Sequence, residues 1–230
     1  MHAISTMDGT HSRTVGPSAS PAVLVANAEI SMRRLLERLI QASGWHAETL
    51  ATARALLARP RSLAPTCLLL DVALPDLNGL EVQKRIATDR PEMAVVFITG
   101  CGDVATSVRA MKAGAREFLT NPVENDVVVR TVRQALDHSR RTVERMTRIA
   151  SLRENYDSLT PREREVMTLV TSGLLNKQVG GELGISEITV KQHRGQVMRK
   201  MRANSLPALV NMAGSLGLAS RFAEELFLVG

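Results

Sequence analysis

Between residues 21 and 139 the chain alternates short apolar runs with amphipathic stretches. The runs are AVLV (22–25), CLLLD (67–71), VVFI (95–98) and EFL (117–119), with a weaker candidate at AETL (47–50). They are continuous rather than alternating, the pattern of strands buried on both faces of a parallel sheet. Helix-period segments separate them at about 30–42, 51–59, 79–89, 103–113 and 125–139. Five such units predict an α/β doubly wound five-stranded parallel sheet, with a ligand site at the carboxyl ends of its strands. Beyond Leu136 the pattern is purely helical. Val129, Val132, Leu136, Ser139, Val143, Met146 and Ala150 keep a 3–4 spacing that only the serine interrupts. Two readings fit: a helix running on as a short coiled-coil seam, or a helix ending near His138 before a charged, mobile linker.

From Ser158 onward the punctuation is that of an all-α four-helix domain. In LTPRERE (159–165) Thr160 can cap, Pro161 suits a first helical position and Glu163 completes a capping box. Gly173 breaks that helix, and Asn176 is expected to cap a short second one, NKQVGGELG, which Gly184 ends. Ser186 then caps a third helix running to about Arg202, and a fourth starts at Ser205. A short helix, a glycine-containing turn and a longer helix make a helix-turn-helix. At about 100° per residue, Val190, Val197 and Met201 of the third helix face the core, with His193 and Arg194 at the edges. Ile188, Gln192, Gly195 and Arg199 fall opposite, flanked by Lys191 and Arg202.

That opposite face suits a DNA major groove. Gln192 can pair with adenine edges, Lys191 with guanine or phosphate, and Gly195 lets backbone come close. Arg194, Arg199 and Lys200 are expected on phosphates. Asn176 and Lys177 open the second helix, whose free N–H groups and dipole favour a phosphate. Gly180 and Gly181 sit inside that helix at about 1 kcal/mol each relative to alanine, which predicts a soft element.

Charge agrees with this partner. Residues 140–230 carry 14 basic and 9 acidic side chains, against 15 and 14 in residues 1–139. A basic smaller half favours a polyanion. Aromatics at 3% argue against base-stacking binders of single strands or RNA. Two cysteines form no disulfide framework, so a cytoplasmic location is expected. No apolar run approaches a membrane span. The expected division is a disordered tail (1–20), an α/β domain (21–138), a helical linker (139–157) and the helix-turn-helix domain (158–230).

The segment LTPREREVMTLVTSGLLNKQVGGELGISEITVKQHRGQVMRKM resembles the LuxR-type helix-turn-helix of NarL/FixJ response regulators. The resemblance implies base contacts at Lys191, Gln192 and Gly195. LLLDVALPDLNGLEV (68–82) and FITGCGDVATSVRAMKAGAREFLTNP (97–122) resemble a FixJ-like receiver, which has a flavodoxin-like fold. It implies a phosphoacceptor at Asp71, a hydroxyl switch at Thr99 and an aromatic switch at Phe118.

The rest of the receiver pattern is missing. Where such domains carry two acidic residues for Mg²⁺, VLVANAEIS has Asn27 and Ala28, with Glu29 one place beyond. Asn121 replaces the lysine that pairs with the phosphoryl oxygen. Mg²⁺ wants hard anionic oxygens and phosphoryl transfer depends on positioned positive charge. An atypical receiver with little or no Mg²⁺-dependent phosphorylation is therefore expected, and no cofactor. A weakened but working phospho-receiver is the opposing reading. Without metal, Asp71 could be held by Thr99 or Asn121. Cys101, in the adjoining loop, is either a redox or ligand sensor or an incidental small residue. Cys67 lies in a strand and belongs to the core.

The function expected is a sequence-specific transcription regulator acting as a homodimer on double-stranded DNA, its dimer surface on about 103–119 with help from the linker seam. A conventional phosphorylation-activated regulator served by a sensor kinase is one alternative. A non-DNA-binding adaptor working through the receiver face is another. An enzyme is not expected, since no Ser/His/Asp, HExxH, P-loop or CxxC arrangement appears.

Overall fold

The computed structural model describes residues 20–218 except Cys101. The expected disordered tail, save Ser20, and the sensor reading of Cys101 lie outside the described residues. The apolar runs form strands β1 (Ala22–Ala26), β2 (His46–Leu50), β3 (Thr66–Leu70), β4 (Met93–Thr99) and β5 (Glu117–Thr120). Between them lie α1 (Ile30–Ala42), α2 (Ala53–Leu57), α3 (Gly79–Asp89) and α4 (Val104–Lys112). All pairings are parallel, in the order β2-β1-β3-β4-β5. Two apolar layers explain the continuous runs. Val23, Val25, Leu69 and Val96 pack under α1 and the helix after β5, α5 (Asn125–Asp157), with Leu36, Ile40 and Val132. Leu24, Leu68, Leu70 and Phe97 pack on the other side with Leu56, Leu80, Ile86 and Ala110. Asp71 falls just beyond β3 rather than within it.

α5 runs unbroken from Asn125 to Asp157, 33 residues, so the helix does not stop at His138. The serine that interrupts the apolar spacing has a structural reason. Ser139 is fully buried; its hydroxyl accepts from the Thr66 amide at 2.8 Å and donates to the Glu92 carbonyl at 2.5 Å. Up to Thr142 the helix belongs to the α/β core; Val143 and Met146 are half-buried and Ala150 is exposed. Ser139→Ala leaves a buried amide without its acceptor, and should destabilise the α/β unit by about 1–3 kcal/mol in urea titration. A midpoint equal to that of the parent would exclude this docking role.

Contacts divide the chain between Val143 and Glu144, within α5. The second unit contains α6 (Pro161–Thr171), α7 (Asn176–Leu183), α8 (Glu187–Met201) and α9 (Leu206–Ser215). Val166, Val170, Val179 and Val190 form one core, and Met167, Val197, Met201 and Leu209 another. Thr160 and Glu163 make the reciprocal box with Pro161 in the first turn, and Ser186 and Ser205 cap α8 and α9.

Two local expectations are corrected. The residue capping α7 is Leu175, whose amide donates to the Gln178 side chain at 2.8 Å; Asn176 is already helical. α8 ends at Met201, and Arg202 is its left-handed cap with φ 57°, off the helical face on which it was placed. The first of the paired glycines has a packing reason. A Cβ on Gly180 would lie 2.8 Å from the Ile185 carbonyl oxygen, so glycine lets α7 close onto the turn before α8. Nothing in the structure explains Gly181.

Candidate DNA interface and receiver site

β1 and β3 are neighbours in register, Ala26 opposite Leu70, so the residues just past each strand meet. The Asp71 amide donates to the Ala26 carbonyl at 2.8 Å. Asn27, almost fully buried, donates its Nδ2 to Asp71 Oδ2 at 2.9 Å. The direction of this bond follows from the other end of the amide. The Glu29 backbone N–H lies 2.7 Å from Asn27 Oδ1 and can only donate, which leaves the NH₂ for the carboxylate. Ala73 N–H donates to the other carboxylate oxygen at 3.2 Å. Asp71 is thus held by Asn27 and Ala73.

Two further features complete the turn. Arg33 Nη1 donates to the carbonyls of Asn27 and Ala28, at 2.7 Å each. The Glu29 carboxylate accepts from the Ser31 hydroxyl at the start of α1, where a negative charge also suits the helix dipole. Thr99 is buried at the end of β4, and its carbonyl accepts from the Asn121 amide at 2.9 Å. The Asn121–Pro122 bond is cis. Phe118 is half-buried against Phe97, ring centroids 5.6 Å apart.

These donors do not fit Mg²⁺. The ion requires several hard oxygens, whereas Asn27 turns N–H toward the one carboxylate, Ala28 offers no side-chain donor and Glu29 is engaged with Ser31. Among the described residues no group of three His, Cys, Asp or Glu side chains could hold a metal. Burial raises the Cys67 thiol to about 12, so it stays a protonated core residue.

In the second unit α8 buries Val190, Val197 and Met201, leaving Ile188, Lys191, Gln192, Gly195 and Arg199 exposed. Lys191 pairs with Glu187 one turn earlier at 2.9 Å, and Arg199 with Gln196. Arg194 reaches across to Asn176, donating Nη1 to Oδ1 at 3.1 Å. It thereby brings a cation to the α7 N-terminus, where Lys177 is exposed. Lys200 goes elsewhere. Its Nζ donates to Glu163 at 2.6 Å and to the Ser158 carbonyl at 3.2 Å, bonds that turn it toward the start of α6.

Burial raises the Glu163 carboxyl, but the Lys200 and Thr160 hydrogen bonds and the Lys200 charge outweigh it, leaving the group below its ordinary range. Arg162 of α6 also donates to the Leu183 carbonyl at the end of α7. Sequence reasoning missed these ties and the role of Arg33. The only available signal was the capping-box glutamate itself.

A five-stranded doubly wound domain followed by a helix-turn-helix defines a two-part DNA-binding regulator. Residues 23–133 match the response regulator receiver domain, and residues 157–213 the luxR family of bacterial regulatory proteins. Nodulation protein W of Bradyrhizobium diazoefficiens is 41% identical over 208 residues, covering 90% of this chain and 92% of that protein. Transcriptional regulatory protein FixJ of Azorhizobium caulinodans is 36% identical over 203 residues, covering 88% and 96%. The solved structure of response regulator StyR superposes with a TM-score of 0.74 at 38% identity, covering 85% of this chain and 99% of that one. The chain belongs to the NarL/FixJ family of response regulators: a transcription regulator with a LuxR-type DNA-binding domain. The family is one of regulators rather than enzymes. No helix among the described residues is long and apolar enough to cross a membrane.

Proposed function

We propose that this regulator works in the cytoplasm as a homodimer on paired half-sites in double-stranded DNA, with a receiver that undergoes no Mg²⁺-dependent phosphorylation. The observation that carries the second part is the 2.9 Å hydrogen bond from Asn27 to Asp71. An amide donor satisfies the carboxylate where an acidic pair and a metal would otherwise act. Gln192 and Gly195 would meet base edges, and Lys191 a guanine edge or a phosphate. Arg199, together with the Arg194, Asn176 and Lys177 cluster, would meet phosphates. Dimerisation is supported by α4, where Val104, Val108 and Met111 recur at i, i+4 and i+7 and are 81%, 44% and 44% exposed. A sensor kinase remains a partner class suited to a receiver; here it would act by contact rather than by phosphoryl transfer.

Incubating the protein with acetyl phosphate and Mg²⁺, then measuring intact mass, tests the receiver reading. The expected result is no phosphoryl adduct. A stoichiometric adduct that disappears in Asp71→Asn would establish the conventional phosphorylation-activated regulator instead.

A further inference from the structure

The exposed face of α8 has an unusual centre. With about 100° between successive residues, Ile188 and Gly195 lie within about 20° of each other, two turns apart along the middle of that face. Lys191 and Glu187 lie to one side, Gln192 and Arg199 to the other. Ile188 is 69% exposed, so no other part of the described chain covers it. The neighbouring Lys191 is drawn toward Glu187 at 2.9 Å. A Cβ on Gly195 would meet nothing within 4 Å, so internal packing does not call for glycine there. The middle of the face thus pairs a branched hydrocarbon with a bare stretch of backbone, between two polar borders.

We propose that Ile188 reads a thymine methyl group in the major groove, a reading that rests on α8 being the recognition helix. In a helix-turn-helix the N-terminal residues of the recognition helix contact base edges, and Ile188 is the second residue of α8. In the major groove the one apolar feature of the unmodified base edges is the C5-methyl of thymine, which tells A·T from T·A where their symmetric acceptor–donor–acceptor pattern alone would not. An isolated exposed isoleucine is common on protein surfaces. This one lies among cations and hydrogen-bonding side chains, a border that suits a polyanion carrying a small apolar feature. Gly195 allows the helix to approach closely enough for contact.

The test begins with a duplex selected from a random library by the full-length protein and footprinted to define its half-sites. Each thymine is then replaced by deoxyuridine, which removes only the methyl group, and affinity is measured by fluorescence anisotropy. One thymine per half-site should show a loss of about fourfold, the equivalent of one buried methyl group. In Ile188→Ser, folded by circular dichroism, the thymine duplex should bind about as weakly as the deoxyuridine duplex binds the parent, and the difference between the two should vanish. Tight binding with no deoxyuridine effect at any position overturns the inference and leaves the recognition helix standing. So does an effect that persists in Ile188→Ser. Failure to select or bind any duplex overturns the recognition helix and this inference together.

Discussion

Raising salt from 50 to 200 mM should weaken specific DNA binding by about 10³- to 10⁴-fold. Each phosphate neutralised by a cation contributes a slope near −0.9 to log affinity against log salt. One half-site offers four cationic groups: Lys177, Lys191, Arg194 and Arg199, all exposed or half-exposed on α7 and α8. Two half-sites therefore give about six to eight phosphate contacts and a slope of about −5 to −7. A monomer with the same groups would give only about half that slope, a loss of about 30- to 130-fold over this range. The measurement thus distinguishes the homodimer from a single bound chain. Arg194→Ala should weaken binding on every sequence alike and lower the slope by about one per half-site. Its Asn176 bond places it beside a helix N-terminus, where a phosphate is doubly favoured. Salt-insensitive binding would remove the phosphate role from this surface and favour the adaptor reading.

What could be read from the chain alone, and what could not, divides along physical lines. Short continuous apolar runs announced the parallel sheet, because a strand buried on both faces leaves no choice of residue type. The α6 start was equally legible, since Thr160, Pro161 and Glu163 each satisfy a local backbone need. The extent of α5 was not legible. Ser139 looks like a break in a seam, whereas it satisfies a Thr66 amide from a strand 73 residues away in sequence. Direction was hidden as well. Composition shows that Asn27 replaces an acid, but only the Glu29 amide bond shows which end of its side chain faces Asp71. Lys200 is the same lesson on the DNA-binding side. A helical wheel gives an angle, and at the border between core and surface a long side chain can turn either way. The partner that draws it inward, Glu163, lies 37 residues earlier.

That pair sets the other large expectation, which concerns stability. Glu163→Ala removes the acceptor of the Thr160 amide, half of the α6 capping box, and leaves Lys200 without its anion. The carboxylate is only 7% exposed in its side chain and Lys200 26%, so solvent does not fully take over either role. Loss of a cap costs about 1 kcal/mol, and breaking a partly buried ion pair adds more, short of the 3–5 of a fully buried one. A total near 2–3 kcal/mol follows, a fall of several degrees in the melting of the second unit. The same pair predicts a pH response. Glu163 is held below its ordinary range in the folded state, so its contribution is fully present above the unfolded value of about 4.3. It is lost as pH falls through the lower folded value, because protonation then favours the unfolded chain. Glu163→Gln keeps an acceptor for the Thr160 amide but no charge for Lys200. It should restore part of the stability at pH 7 while flattening the decline below pH 5. If Glu163→Gln and the parent lose stability in parallel as the solution is acidified, the Glu163–Lys200 pair is not the group that titrates.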